Sequence, residues 1–218
     1  MKLKDQLKAD VLTIILVLAN VVFALVMLGR LPEIVPSHWG WNGQVNGQMD
    51  KYAYVWMMIG LTLGIYLLLT VLPLIDPRRA NYAAFRRIYA VIKLAVILFI
   101  SVVHVMTALA ALGVDVPVKA IVPGIVGLLL IVLGAVMPGV KQNYFVGIRV
   151  PWTLNDPENW TKTHKFGGVF FIIGGLIMLA SSFFAGRFAI IWGIIVAVVP
   201  PIVYSYALFH IKERGGKK

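Results

Sequence analysis

Cysteine is absent from the 218 residues, which excludes disulfides, thiolate metal ligands and cysteine nucleophiles. Charge is scarce as well: Asp, Glu, Lys and Arg make up 13% of the chain, nine acidic side chains against 20 basic ones. The few carboxylates form no paired-acid motif. The four histidines, His38, His104, His164 and His210, lack the close spacing of two metal ligands on one helix face. No metal site, cofactor or catalytic residue is therefore expected. Apolar residues, by contrast, are abundant: 60% of the chain is hydrophobic and the mean hydropathy is +0.88, more than a water-soluble fold can hide.

A hydrocarbon layer about 30 Å thick needs roughly 20 apolar residues in helical form, because every backbone N–H and C=O inside it must be paired within the segment. Six stretches qualify: Val11 to Gly29, Tyr54 to Ile75, Ile88 to Leu112, Ala120 to Pro138, Phe166 to Ala185 and Phe188 to Phe209. The first follows Lys2, Lys4 and Lys8 but is too long for a signal peptide and lacks a small-residue cleavage site, so it reads as a retained anchor. The expected fold is an all-α membrane protein, a bundle of six transmembrane helices forming one integral membrane domain over residues 1–218. Residues 1–75 hold the first two spans and the loop between them, and residues 76–218 hold the other four.

A net charge of +11 would suggest a nucleic-acid partner in a soluble domain, but here the cations sit between apolar runs and report topology. Alternate segments carry Lys2, Lys4 and Lys8, then Arg78, Arg79, Arg86 and Arg87, then Lys141, Arg149, Lys162 and Lys165, then Lys212, Arg214, Lys217 and Lys218. The opposite segments hold only Arg30, Lys51, Lys119 and Arg187. Positive residues stay in the cytoplasm during insertion, so both termini are expected inside, in a multi-pass protein of the cell membrane with no direct nucleic-acid binding.

Lys93 and His104 lie eleven residues apart in the third span, about three helical turns, and so share a face with Ile97 and Ile100 between them. Lys93 is shallow enough to snorkel to the headgroups. His104, near mid-membrane, is expected to hydrogen-bond a side chain such as Asn20 or Thr107, or to titrate. Gly60 with Gly64, and Gly174 with Gly175, allow close helix approach in lipid. Pro200 and Pro201 should kink or locally unwind the last span.

Two loops carry further information. In the loop from Leu31 to Lys51, Asn42-Gly43 and Asn46-Gly47 are turn dipeptides, which predicts a compact, hairpin-like cap. Its Trp39 and Trp41 are either interfacial belt residues or, with His38, a surface that faces a ligand. In the loop from Asn143 to Gly168, Asp156-Pro157-Glu158 starts a helix that runs directly into the fifth span. Trp160, Thr163, His164 and Gly167 fall on one face of it. With Arg149 and Lys165 they would form a pocket for a carboxylate or phosphate; the competing reading is headgroup anchoring by Arg, Lys and Trp.

The second loop resembles the signature of the SdpI family of bacterial membrane proteins: Asn, then Gly-Ile-Arg-x-Pro-Trp-Thr-Leu, then Trp-x-x-Thr-His-x-x-Gly-Gly. It matches at Asn143, Gly147, Ile148, Arg149, Pro151, Trp152, Thr153, Leu154, Trp160, Thr163, His164, Gly167 and Gly168. The first loop is similar to the Pro-x-His-Trp-Asn-x-x-Gly…Gly…Lys motif of a membrane domain found in the same family, through Pro36, His38, Trp39, Gly43, Gly47 and Lys51. Gly40 replaces the usual asparagine, and Asp50 stands where a serine is common.

The resemblance implies immunity to a secreted membrane-active peptide toxin and signalling by holding a cytoplasmic transcriptional repressor at the membrane. The partners are then the lipid bilayer, the peptide and the repressor. The residues implicated in ligand binding or signalling are His38, Trp39, Lys51, Asn143, Arg149, Trp152, Thr153, Trp160, Thr163 and His164. Two other readings stand beside it. One is a small-molecule or ion transporter using Lys93, His104 and the Pro200-Pro201 break, although no internal three-plus-three repeat is visible. The other is a membrane enzyme acting on lipid or peptide with His164 as general base and Arg149 holding an anion, although no activated nucleophile is present.

Overall fold

The computed structural model describes residues 3–184 and 187–215. A short helix α1 (Leu3–Ala9) leads into α2 (Val11–Leu28), followed by strands β1 (Ile34–Trp39) and β2 (Val45–Asp50) and by α3 (Lys51–Ile75). A 3₁₀ segment (Arg79–Phe85) precedes α4 (Arg86–Ala111), α5 (Val118–Val136) and a second 3₁₀ turn (Met137–Gly139). Helices α6 (Pro151–Asn155), α7 (Pro157–Phe184) and α8 (Arg187–Gly215) complete the chain. Six helical stretches are long and apolar enough to cross a membrane: Val11–Leu28, Lys51–Ile75, Arg79–Ala111, Val118–Gly139, Pro157–Phe183 and Ile190–Arg214. The six-span, all-α bundle is borne out. The expected end of the fifth span, Ala185, lies outside the described residues, as do Lys2, Lys217 and Lys218.

The helices pack as two groups that meet along α4 and α5. In the first, α2 buries Thr13, Val17, Asn20, Ala24 and Met27, a three-and-four spacing that forms one stripe against α3 and α4. Large side chains fill this group, among them Tyr54, Val55, Met58 and Ile97, and its outward faces carry the exposed Leu and Val expected of a lipid-facing surface.

The second group, α5, α7 and α8, packs on small residues. A Cβ placed on Gly127 would stand 2.6 Å from the carbonyl oxygen of Gly175, and one on Gly134 would stand 2.6 Å from that of Gly168. Gly174 meets the Gly193 carbonyl at 2.3 Å in the same sense. Backbones that touch gain dispersion contacts along whole helices, which replaces the hydrophobic drive that lipid removes. Gly174 and Gly175 thus serve as the sequence suggested. Gly60 and Gly64 do not: both are exposed, with nothing among the described residues within 4 Å of a Cβ at either position. Glycine spacing reports the capacity for close approach, and whether a neighbour uses it is decided by the tertiary arrangement.

The prolines need a second correction. Helix α8 runs unbroken through Pro200 and Pro201, so the chain does not unwind there. Pro201 instead packs on Gly167, where a Cβ would lie 3.3 Å from the proline Cβ. The missing helix-interior donors are tolerated within a long helix whose other turns keep it in register.

Candidate functional site

At one end of the bundle, β1 and β2 pair antiparallel, from Ile34 opposite Asp50 to Trp39 opposite Val45, with irregular register around His38. The turn closes through Gly40 N–H to the Gln44 carbonyl (2.9 Å), and Gly43 takes φ +72°, a conformation that glycine adopts without strain. The expected hairpin is therefore present, but Asn46-Gly47 is not a second turn. Gly47 lies in β2 opposite His38, whose Cβ would sit 2.9 Å from a Cβ there, so its role is close strand approach. Asp50 accepts from the N–H groups of Tyr52 (2.8 Å) and Ala53 (3.2 Å) and so caps α3. Serine caps helices equally well, which accounts for the departure at this position. Lys51 pairs with Glu33 at 2.7 Å across the base of the hairpin.

His38, Trp39 and Trp41 come together. They line a cavity of about 620 Å³ between the hairpin and the near ends of α4, α5, α7 and α8, with Met106, Val122, Pro123 and Ser181 on the other walls. The lining is mostly apolar; Lys119 supplies a cation, and the His38 Nδ1 to Asn46 Oδ1 contact at 2.5 Å supplies polar groups. The stem of Lys119 lies against Gly43, 2.8 Å from where a Cβ would stand, and holds the turn onto α5. Trp41 is 71% exposed, although a tryptophan in a packed cap would be covered.

The opposite end is built differently. Asn143 is fully buried: its Oδ1 accepts from Val146 N–H (2.7 Å), Phe145 N–H (2.9 Å) and the Tyr82 hydroxyl (3.1 Å), and its Nδ2 donates to the Lys141 and Val146 carbonyls. Thr153 donates to the Ile148 carbonyl (2.8 Å) and accepts from Val150 N–H (3.1 Å), which folds the segment into α6. Trp152 donates to Ser205 Oγ (2.7 Å) and stacks on Phe209, so the loop is bound to α8.

Trp160 donates to the Val140 carbonyl (2.9 Å), and Thr163 donates to Asn159, which in turn donates to the Ser205 carbonyl. His164 uses both ring nitrogens: Nδ1–H donates to the Trp160 carbonyl (2.8 Å) and Nε2 accepts from Ile148 N–H (3.1 Å). These contacts fix the neutral Nδ1–H tautomer and leave no free lone pair for a general base. Gly147, at φ +112°, crosses directly over the ring, where a Cβ would fall 2.3 Å from Nε2.

Trp160, Thr163, His164 and Gly167 share a face, as expected, and that face is buried. Arg149 remains exposed and donates to the Tyr144 carbonyl at 2.6 Å. The physical reason is supply and demand: the irregular backbone from Val140 to Val150 has many orphan polar groups, and signature side chains are consumed in satisfying them.

Sequence reading missed Asp76. Its buried carboxylate accepts from Arg78 N–H (2.6 Å), Tyr144 N–H (2.9 Å) and the Tyr82 hydroxyl (3.0 Å), tying the 3₁₀ segment to the loop after α5. An aspartate before a proline at the end of an apolar span, Ile75-Asp76-Pro77, was the available signal. Arg78 donates to the Leu154 carbonyl, and Gln142 to those of Thr153 and Leu154, across the same seam.

Inside the first helix group, Lys93 does not snorkel. It forms a buried ion pair with Asp10, each about 1% exposed, between the rings of Tyr66 and Tyr89. Asp10 was missed because it reads as one charge among the polar residues ahead of the first span. A buried cation has to find a carboxylate, and α1 brings this one over the end of α4. His104 is buried beside Asn20 (Nδ1 to Oδ1, 3.3 Å), as expected, and Asn20 also donates to Ser101 at 2.5 Å. The pairing of Lys93 and the continuity of α8 remove two of the three features that suggested a transport path.

Comparison with known proteins follows these two ends. Residues 139–205 match the model of the SdpI/YfhL protein family, and residues 15–63 match a domain of unknown function (DUF1648). The chain is 26% identical over 208 residues to "Immunity protein SdpI" of Bacillus subtilis (strain 168), covering 95% of this chain and 98% of that protein. No solved structure matches. The segment that knots the closed end of this bundle is thus similar to the SdpI/YfhL protein family, as its loop sequence implied.

Proposed function

We propose that this chain is an immunity protein of the cell membrane that protects against a secreted membrane-active peptide, with the hairpin end outside and the basic end in the cytoplasm. End-to-end similarity to a protein named for immunity supports the class. The observation that carries the site is the open cavity under the hairpin, lined by Trp39, Trp41 and His38. Exposed indoles beside an apolar cavity bind an apolar segment at low entropic cost, as at recognition hot spots, and Lys119 favours an acidic or C-terminal group near it. The basic end, with Arg149 and Lys212 exposed, is the face toward a cytoplasmic repressor. To transmit an event, the peptide must bind one bundle arrangement better than another.

Cells lacking the protein are challenged with the killing peptide, with and without expression of this chain. Protection by the wild type and its loss in a Trp39→Ala, Trp41→Ala variant that inserts at wild-type level are expected. Absence of protection by the wild type defeats the reading; full protection by the double variant removes the hairpin cavity from it.

A further inference from the structure

Helix α1 closes over the basic end of the first helix group, and between it and the start of α4 lies a groove of about 380 Å³. Its polar end carries Lys8, Arg86 and Arg87, with the carboxylate of Asp5 beside them. The three cations are exposed and make no ion pair among the described residues. Its other end is walled by Leu12, Val91 and Leu94, which belong to the hydrocarbon-crossing part of α2 and α4. Leu12 is 67% exposed, so the apolar wall is open to the lipid side.

A soluble anion would satisfy the cations and leave the apolar wall wet, whereas a zwitterionic lipid would cover the wall without balancing three cations against one carboxylate. An anionic glycerophospholipid satisfies both: its phosphate meets the adjacent arginines, whose planar forks suit phosphate oxygens, and an acyl chain lies along Leu12, Val91 and Leu94. We propose that this groove is a specific site for one anionic phospholipid of the leaflet at the basic end. Ala9 and Thr13, which precede and follow Asp10 in the chain, also line the groove, so an occupant would hold α1 in place over the Asp10–Lys93 pair.

The full chain in detergent is titrated with phosphatidylglycerol or phosphatidylcholine, and retained lipid is read by native mass spectrometry. Wild type is expected to retain one phosphatidylglycerol in preference to phosphatidylcholine. Arg86→Gln with Arg87→Gln should lower that retention by about fivefold for each cation removed, while Arg214→Gln, an exposed cation elsewhere at the same end, should leave it unchanged. Val91→Trp keeps every cation but fills the apolar wall, and it should lose the lipid as well. Equal retention of the two lipids overturns the proposal, as does unchanged retention in the double arginine variant. Retention by Val91→Trp reduces the groove to surface charge, and displacement by millimolar inorganic phosphate makes it a soluble-anion site; either result also overturns it.

Discussion

The two ends of the bundle have similar amino-acid repertoires, tryptophan, histidine, glycine and a cation, yet they use them in opposite ways. At the hairpin end the backbone pairs with itself as two strands, so His38, Trp39 and Trp41 are left to line an open cavity. At the basic end the backbone between α5 and α7 has no strand partner among the described residues. Asn143, Thr153, Trp160 and His164 supply the missing hydrogen bonds and disappear into the fold. A dense motif therefore marks either a binding surface or a backbone in need of partners. The hydrogen-bond inventory of the local chain decides which.

The largest expected effect tests the closed end. Gly147→Ala forces a Cβ into the His164 ring at a positive φ, and should destabilise the protein by about 3 kcal/mol, from left-handed strain and overpacking together. Thermal unfolding in detergent reads it directly, and a wild-type midpoint would mean that the loop is not closed over the imidazole. Asn143→Ala comes next, at about 2 kcal/mol, because it strands the Phe145 and Val146 amides. Trp41→Ala at the open end should shift stability by less than about 0.5 kcal/mol while abolishing protection against the peptide. If it destabilises as Asn143→Ala does, the hairpin is a structural cap and the contrast between the ends fails.

Much of this was legible in the sequence. Six apolar runs give the six spans because lipid allows few alternatives to helix. Asn42-Gly43 gives the hairpin turn, and Asp156-Pro157 gives the start of α7. The face shared by Lys93 and His104 follows from helical spacing alone, since Ile97 and Ile100 between them are buried too. What the sequence withheld depends on partners distant along the chain. Asp10 meets Lys93 83 positions away, and Asp76 accepts from Tyr144 68 positions away. Local periodicity carries no record of such pairs. The cation list told which end is basic, but not that the signature aromatics there would be buried by hydrogen bonding.

The smallest expected effect concerns the edge of the closed end, where the knot meets solvent. Asp156 accepts from the Lys212 ammonium at 2.8 Å, which holds its carboxyl below the ordinary aspartate range; slight burial opposes this, and the Glu158 amide reinforces it. A carboxyl depressed in the folded state contributes stability that is present above its unfolded value, near 3.8, and is lost as pH falls through the folded one. The pair is solvent-facing, with Lys212 62% exposed, so solvent screening leaves only a small contribution. The unfolding midpoint of wild type should exceed that of Asp156→Asn slightly at pH 6 and converge with it as pH falls through and below the depressed folded-state range of the carboxyl. High salt should shrink the pH 6 difference, because the ammonium is screened. A difference that instead persists unchanged in acid would mean that Asp156 acts only as the helix cap, through the Glu158 N–H, and asparagine performs that role poorly here. The outermost contact of the knot would then be a backbone contact like the others, and the closed end would owe nothing to charge at its rim.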